Sequence, residues 1–450
     1  MLAPFRGIRY ARDRVSGIAN VTSPPYDVIN GGVLDRLRAS DPHNVVRLIL
    51  PGEDAGASEA AAALLREWLS AGVLIRDRMA ALYIYEQSFR GPDGAEPAWL
   101  QRGIVGLVRL GPPETAGILP HEGVMPGLVA GRRELMAATQ ANLEPIFLIY
   151  DGDQAAGAAE TATEVMDRVA AERTPLVSIT TEDGTTHRLW RLGDTDEQAA
   201  IAADLAGRRA LIADGHHRYA AYLDLQAQMR HDGHGDGPWD YGLAFLVDSA
   251  AYPPRLGAIH RVLPRLDPDR AAELAKAAFT VQDIPAGLTL DEALRRLAAA
   301  GREGPAFLLA GGPVLRLLSH PDPVQLAAAM PSGTSAPWQR LDASVMQHLL
   351  LGRLWGVTDS ERDVLIDHDA ADAVRAVRGD ETAIDVAERS GGGGPGAPLA
   401  AGGTAVISNP ASFEAVIEIA EHGERVPRKS TSFGPKPRTG LVLRTFGPAD

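Results

Sequence analysis

The sequence predicts a mixed α/β protein, with helices packed on a mixed sheet. Two observations predict it. Short apolar runs bounded by turn residues alternate with amphipathic segments of helical period along most of the 450 residues. One such run, Ala210–Ala213, passes through Asp214 and Gly215 straight into a helical pattern. No repeat at a solenoid period breaks the alternation.

Taken in order, Ser23-Pro-Pro-Tyr-Asp-Val-Ile29 is a proline-stiffened turn leading into a strand or helix. Val45–Leu50 reads as a strand, and Ala57–Ala71 as a helix with Leu64, Leu65 and Trp68 along its apolar stripe. Ala81–Tyr85 and Arg102–Arg109 are strands around a polar loop, which predicts a hairpin. Leu135–Asn142 has helical period, and Pro145–Tyr150 is a buried strand. A helix over Glu160–Ala171, strands over Pro175–Thr181 and His187–Leu192, and a helix over Glu197–Ala206 follow. The strand Ala210–Ala213 then leads to a helix from Tyr219 to about Arg230. Beyond the polar loop His231–Pro238 lie strands at Tyr241–Val247 and Gly257–Val262. The remainder alternates helices and short strands, with a flexible loop at Ser390–Ala397. Length and pattern divide the chain into three expected segments, 1–110, 111–262 and 263–450, the last carrying a glycine-rich loop over 390–403.

Composition narrows the chemistry. The formal charge of −14 argues against broad nucleic-acid binding, which needs many phosphate contacts. Without cysteine there are no disulfides, zinc-thiolate sites, iron–sulfur clusters or thiol nucleophiles. No haem, flavin or zinc is expected. Met1–Tyr10 lacks the apolar core of a signal peptide, and no window approaches the length of a membrane span, so the cytoplasm is the expected compartment. Oligomeric state is not legible. Only three lysines occur, Lys276, Lys429 and Lys436.

The densest chemistry is Asp214-Gly-His-His-Arg218. A helix N-terminus presents unpartnered N–H groups and positive potential, so it suits an anion. Gly215 permits a tight turn and close approach of a ligand. Arg218 can fork onto two phosphate or carboxylate oxygens, and His216 and His217 can donate, accept or shuttle a proton. A solvated structural turn is the plain alternative. A histidine metal site is another, although adjacent helical histidines point in different directions; His231 and His234 lie nearby. In Pro120-His121-Glu122, the carboxylate can serve as a general base, or is simply an acid in a surface turn, the commoner case. Lys429-Ser430-Thr431 and Lys436 offer ammonium and hydroxyl groups suited to phosphate, or a basic surface loop. Asp27 is a catalytic residue, a ligand-binding residue or a turn former, and His260-Arg261 sit at a strand end.

This set, in this order and continued by Pro435-Lys436 and Thr439-Gly440, resembles a bacterial and archaeal family known as domain of unknown function 1015. The family is similar to the ParB/sulfiredoxin superfamily, where a G-x-x-R-x-x-A turn binds nucleotide phosphates. That pattern falls here on Gly215, Arg218 and Ala221. The resemblance implies a ParB/sulfiredoxin-like phosphate-binding core within 111–262, flanked by additional N- and C-terminal α/β segments. It also implies kinship with free-serine kinases, hence a small-molecule kinase using pyrophosphate or a nucleotide, with Mg²⁺ accompanying the donor and free L-serine as acceptor. The expected catalytic residues are Glu122, His217 and Asp214. Gly215, His216, Arg218, Lys429, Ser430, Thr431 and Lys436 would bind phosphate. Asp27, His121, Arg132, His260 and Arg261 would bind substrate. Val124, Val129 and Gly131 stand where the family pattern has threonine, lysine and aspartate. That departure keeps open a non-catalytic module that binds a nucleotide or phosphometabolite. Either way the expected partners are a small molecule and a phosphate compound, not nucleic acid or membrane.

Overall fold

A computed structural model describes residues 2–446 except 30, 53, 90–98, 153–159, 359, 361–362 and 379–402. The expected loop at Ser390–Ala397 and most of the glycine-rich stretch lie outside the described residues. The fold is mixed α/β, and the chain forms two compact units. The first comprises 1–120, 124–254 and 435–450, the second 121–123 and 255–434.

The first unit is built on one mixed sheet. Its strands are β1 (Leu2–Ala3), β2 (Leu82–Phe89), β3 (Trp99–Arg109), β4 (Ile118–Leu119), β5 (Ile146–Tyr150), β6 (Val177–Thr180), β7 (Thr186–Leu192), β8 (Ala210–Asp214) and β9 (Tyr241–Asp248). They lie in the order β4-β8-β5-β9-β3-β2-β7-β6, with β1 beside β3. β2 and β3 form the expected antiparallel pair. β4 runs parallel to β8, and β5 parallel to β9, while β8 and β5 are antiparallel. β5 is apolar and buried along its whole length, because neighbours flank it and helices cover it. Four helices, Pro126–Thr139, Ala162–Glu172, Thr195–Asp204 and His216–His231, contribute to the core against this sheet.

Four local expectations change. Val45–Leu50 is helical turn rather than strand, with Val46–Ile49 in helix. The Asn44 carboxamide accepts the Val46 N–H at 2.9 Å and starts the turn, a local bond that competes with sheet pairing. A short apolar run cannot reveal that by periodicity. The helix expected at Leu135–Asn142 begins earlier, at Pro126, and ends at Thr139. Proline at a first helical turn is favoured, whereas Gly127 and Gly131, both poor helix formers, obscured the pattern. Gly257–Val262 is two strands, Arg255–Gly257 and His260–Leu263, which pair in different sheets. The helix after Gly215 starts at His216, three residues before the expected Tyr219.

The second unit holds a six-stranded antiparallel sheet in the order Thr280–Asp283, Arg316–Ser319, Phe307–Ala310, Thr404–Ser408, His260–Leu263, Leu365–Asp367. Alternate residues of its strands feed separate cores. Phe307, Leu309 and Val406 enter one, and Leu308, Ala310, Ala405 and Ile407 the other. Among the described residues no helix is long and apolar enough to cross a membrane.

Candidate functional site

The glycine turn is built by the end of β8. Pairing between β8 and β5 slips between Ile212 and Asp214, leaving Ala213 as an extra residue. Such a bulge bends the strand and re-aims the next side chain, here Asp214. Gly215 then adopts φ +94°, in the left-handed region. A Cβ at this position would lie 3.1 Å from Ile146 and 3.2 Å from Arg218 Nε, so the conformation and the space both require glycine. The helix opens at once, placing His216, His217 and Arg218 in its first turn. The Met125 N–H donates to His217 Nε2 at 3.1 Å, which leaves the proton of the neutral ring on Nδ1. His216 is buried.

Arg218 is buried, at 4% exposure, and its guanidinium is engaged. Nη2 pairs with Asp214 Oδ2, and Nη1 donates to the Pro145 carbonyl at 2.5 Å. Nε, also buried, has no hydrogen-bond partner among the described residues. Burial works against the charge, but Glu144, Asp214 and Asp27 outweigh it and hold Arg218 firmly protonated.

The C-terminal segment supplies a further charge. Lys436 Nζ lies 2.6 Å from Asp214 Oδ1 and 2.5 Å from Asp27 Oδ2. Burial disfavours the ammonium, yet the two carboxylates raise its pKa well above the ordinary lysine value. The segment is fixed on both sides of Lys436. Gln87 donates to the Pro435 carbonyl at 3.0 Å, and Arg438 Nε donates to Thr22 Oγ1 at 2.7 Å. Thr439 pairs with Ser23 through reciprocal main-chain bonds. Arg132 joins the same cluster, its guanidinium 4.3 Å from the centre of the Tyr26 ring and donating to the Ile49 carbonyl at 2.7 Å.

Glu144 and Tyr26 are residues that sequence reasoning missed. Glu144 Oε1 accepts from the Tyr26 N–H and from Thr439 Oγ1, each at 3.1 Å. Burial raises its pKa, with Arg218 and Arg132 opposing. Burial also pushes the Tyr26 phenol up to about 12. The available signal was an acid at the start of an apolar run. A cavity of about 30 Å³ lined by Arg132, Glu144, Arg218 and Tyr222 lies behind the turn, with room for about one water. A larger cavity of about 470 Å³ in this unit is lined by Arg109, Asp236 and Tyr241 and by none of the expected site residues.

The other expected residues belong to the second unit, so Lys429 and Lys436, close in sequence, fall in different units. Glu122 Oε1 accepts the Lys429 N–H at 2.9 Å. Lys429 has φ +54°, unusual for a residue with a side chain. Arg261 Nη2 donates to the carbonyls of Arg428 and Lys429, at 3.1 and 2.9 Å. His121 is buried, with Nε2 2.8 Å from Thr431 Oγ1. Ser430 Oγ donates to the Pro427 carbonyl. Glu122 and Arg261 thus hold the loop's main chain. The Ser408 N–H donates to His260 Nδ1 at 3.4 Å, and burial pushes that imidazole down to about 4, against the pull of Asp369. Val124 and Gly131 are exposed and Val129 is buried.

The chain belongs to the family described as protein of unknown function (DUF1015), whose pattern matches residues 2–344. Three solved structures are similar to it at low sequence identity. SbnI with a C-terminal truncation, from Staphylococcus aureus, is 11% identical, with a TM-score of 0.34 over 76% of this chain and 87% of that one. A free serine kinase in complex with AMP is 14% identical, with a TM-score of 0.34 over 73% of this chain and 87% of that one. A conserved hypothetical protein from Pyrococcus furiosus is 12% identical, with a TM-score of 0.34 over 76% and 95%. No curated protein matches.

Proposed function

We propose that this protein is a small-molecule phosphotransferase that moves a phosphoryl group from pyrophosphate or a nucleotide to a free hydroxy amino acid. L-serine is the acceptor the motif resemblance implies. The observation that carries the reading is the turn at Gly215. A sixteen-residue helix begins there and turns the positive end of its dipole to the turn, and the Lys436 ammonium is held beside it at Asp214.

In this reading the amides of His216, His217 and Arg218 and the ammonium of Lys436 hold the donor's phosphate oxygens. His217, protonated on Nδ1, adds a further donor. Phosphoryl transfer relies mainly on alignment and charge neutralisation, with little covalent work for the protein. Mg²⁺, when bound, would supply charge neutralisation at the donor's phosphate. Among the described residues no group of three or more histidine and acidic side chains is arranged to hold a metal. Glu122 is the base that the resemblance implies for the acceptor hydroxyl.

A second reading is a non-catalytic phosphate-compound module. It is favoured by the engagement of Arg218 with Asp214 and Pro145, and by the three departures at Val124, Val129 and Gly131. The test is formation of phosphoserine from serine with pyrophosphate, ADP or ATP and Mg²⁺, beside calorimetry with the same donors. Product with any donor supports the enzyme. Binding without product supports the module, and no binding of any phosphate compound removes both.

A further inference from the structure

Lys436 is placed as a metal ion would be. Its Nζ sits 2.5 Å from Asp27 Oδ2 and 2.6 Å from Asp214 Oδ1, so carboxylates distant in sequence converge on one cationic point. The point is held from both sides. Asp214 ends a bulged strand, and its other oxygen is fixed by Arg218. Asp27 lies in the short helical turn Tyr26–Val28, which Glu144 anchors through the Tyr26 N–H. A second observation points to a ligand at this turn. Arg218 Nε is buried and without a hydrogen-bond partner among the described residues, and lies 3.2 Å from the point a Cβ on Gly215 would occupy. A buried donor N–H there calls for an acceptor such as a phosphate oxygen.

We propose that Asp27 and Asp214 form a divalent-cation site, and that the Lys436 ammonium is its tethered occupant while no phosphate donor is bound. The proposal rests on the phosphate-binding reading of the Gly215 turn. When the donor arrives with Mg²⁺, the ion takes the two carboxylates and Lys436 turns to the phosphate. Mg²⁺ holds oxygens at about 2.0–2.1 Å, so the carboxylates need to close by only about half an ångström. The remaining positions on the ion go to water and phosphate, as is usual for Mg²⁺ with one or two carboxylates.

Charge makes the exchange cooperative. Two carboxylates with Lys436 and Arg218 are neutral together, so neither a free anion nor a free cation is strongly drawn to them. A divalent ion in place of the ammonium leaves the same groups with an excess of one positive charge, and the released Lys436 adds its own as a further phosphate ligand. Metal and donor therefore bind as a pair.

The experiment titrates Mn²⁺ into the full chain without phosphate, reading free Mn²⁺ by paramagnetic resonance. Wild type should bind Mn²⁺ weakly. Lys436→Met should bind it at least tenfold more tightly, and adding Asp27→Asn should remove the gain. A folded Lys436→Met protein with no gain overturns the proposal. If that variant does not fold, Asp27→Asn alone carries the test. Its pyrophosphate affinity should fall at least tenfold with Mg²⁺ and should not fall without it, since losing a carboxylate favours a free anion; an equal fall under both conditions overturns the proposal. None of these readings uses phosphoserine. A Mn²⁺ gain without turnover leaves the site standing and removes the kinase, and turnover without the gain does the reverse.

Discussion

Arg218→Ala tests the account of the turn most directly. Arg218 is buried and carries the pair to Asp214 and the bond to the Pro145 carbonyl. Alanine would leave Asp214 with Lys436 alone and the Pro145 carbonyl short of its donor. Removing one partner of a buried ion pair typically costs about 3–5 kcal/mol. Lys436 still holds Asp214 Oδ1, which places the expected loss toward about 3 kcal/mol. The residue is therefore part of the scaffold as well as a proposed phosphate ligand, and its loss is not neutral for the fold. Hydrogen exchange by mass spectrometry reads this locally, without assuming that two units unfold as one. Amides over residues 210–231 should lose protection by roughly a hundredfold or more, since about 1.4 kcal/mol is a factor of ten. Protection within a factor of three of wild type would refute the reasoning. It would mean that the Arg218–Asp214 pair contributes nothing net, and that Arg218 is available to a ligand at no structural cost.

The remaining predictions are narrower. Glu122→Gln keeps an oxygen to accept the Lys429 N–H, so the second unit should fold normally and donor binding should survive. Phosphoserine formation should slow by at least about tenfold, given the usual contribution of a general base; an unchanged rate means Glu122 is not the base. Acid should destabilise the first unit through His187. Burial, with Arg438 assisting, lowers that imidazole from the ordinary 6.5 to about 4, and the neutral ring sits 2.8 Å from the Tyr85 hydroxyl. Its contribution is complete above pH about 6.5 and is lost as pH falls toward about 4, because only the unfolded chain takes up the proton in that window. Urea midpoints measured between pH 7 and pH 4 should fall less steeply in His187→Gln; an identical slope would show that this imidazole is not buried neutral.

Part of the site was legible because its chemistry is local. Gly215, the two histidines and Arg218 are contiguous, and the switch from strand to helix around them is a pattern of a few residues. Glycine at φ +94° is required by that turn itself. Glu122 and the Lys429 loop were each recognisable as motifs, and both are now seen to be tied together by one main-chain bond. The scarcity of lysine drew attention to Lys436 without saying what it meets.

The sequence by itself determined the alternation of helix and strand, the β2–β3 hairpin, the buried strand at Ile146–Tyr150 and the strand-to-helix turn, because each depends on periodicity or turn chemistry within a short window. Only the tertiary structure decided that Asp27, Asp214 and Lys436 meet, that Glu144 ties Tyr26 to Thr439, and that Arg218 is held by Pro145. Those partners come from distant parts of the chain. Nothing in a local window encodes them, since their pairing follows from the order of strands in the sheet and from the main-chain bonds of Thr439 with Ser23.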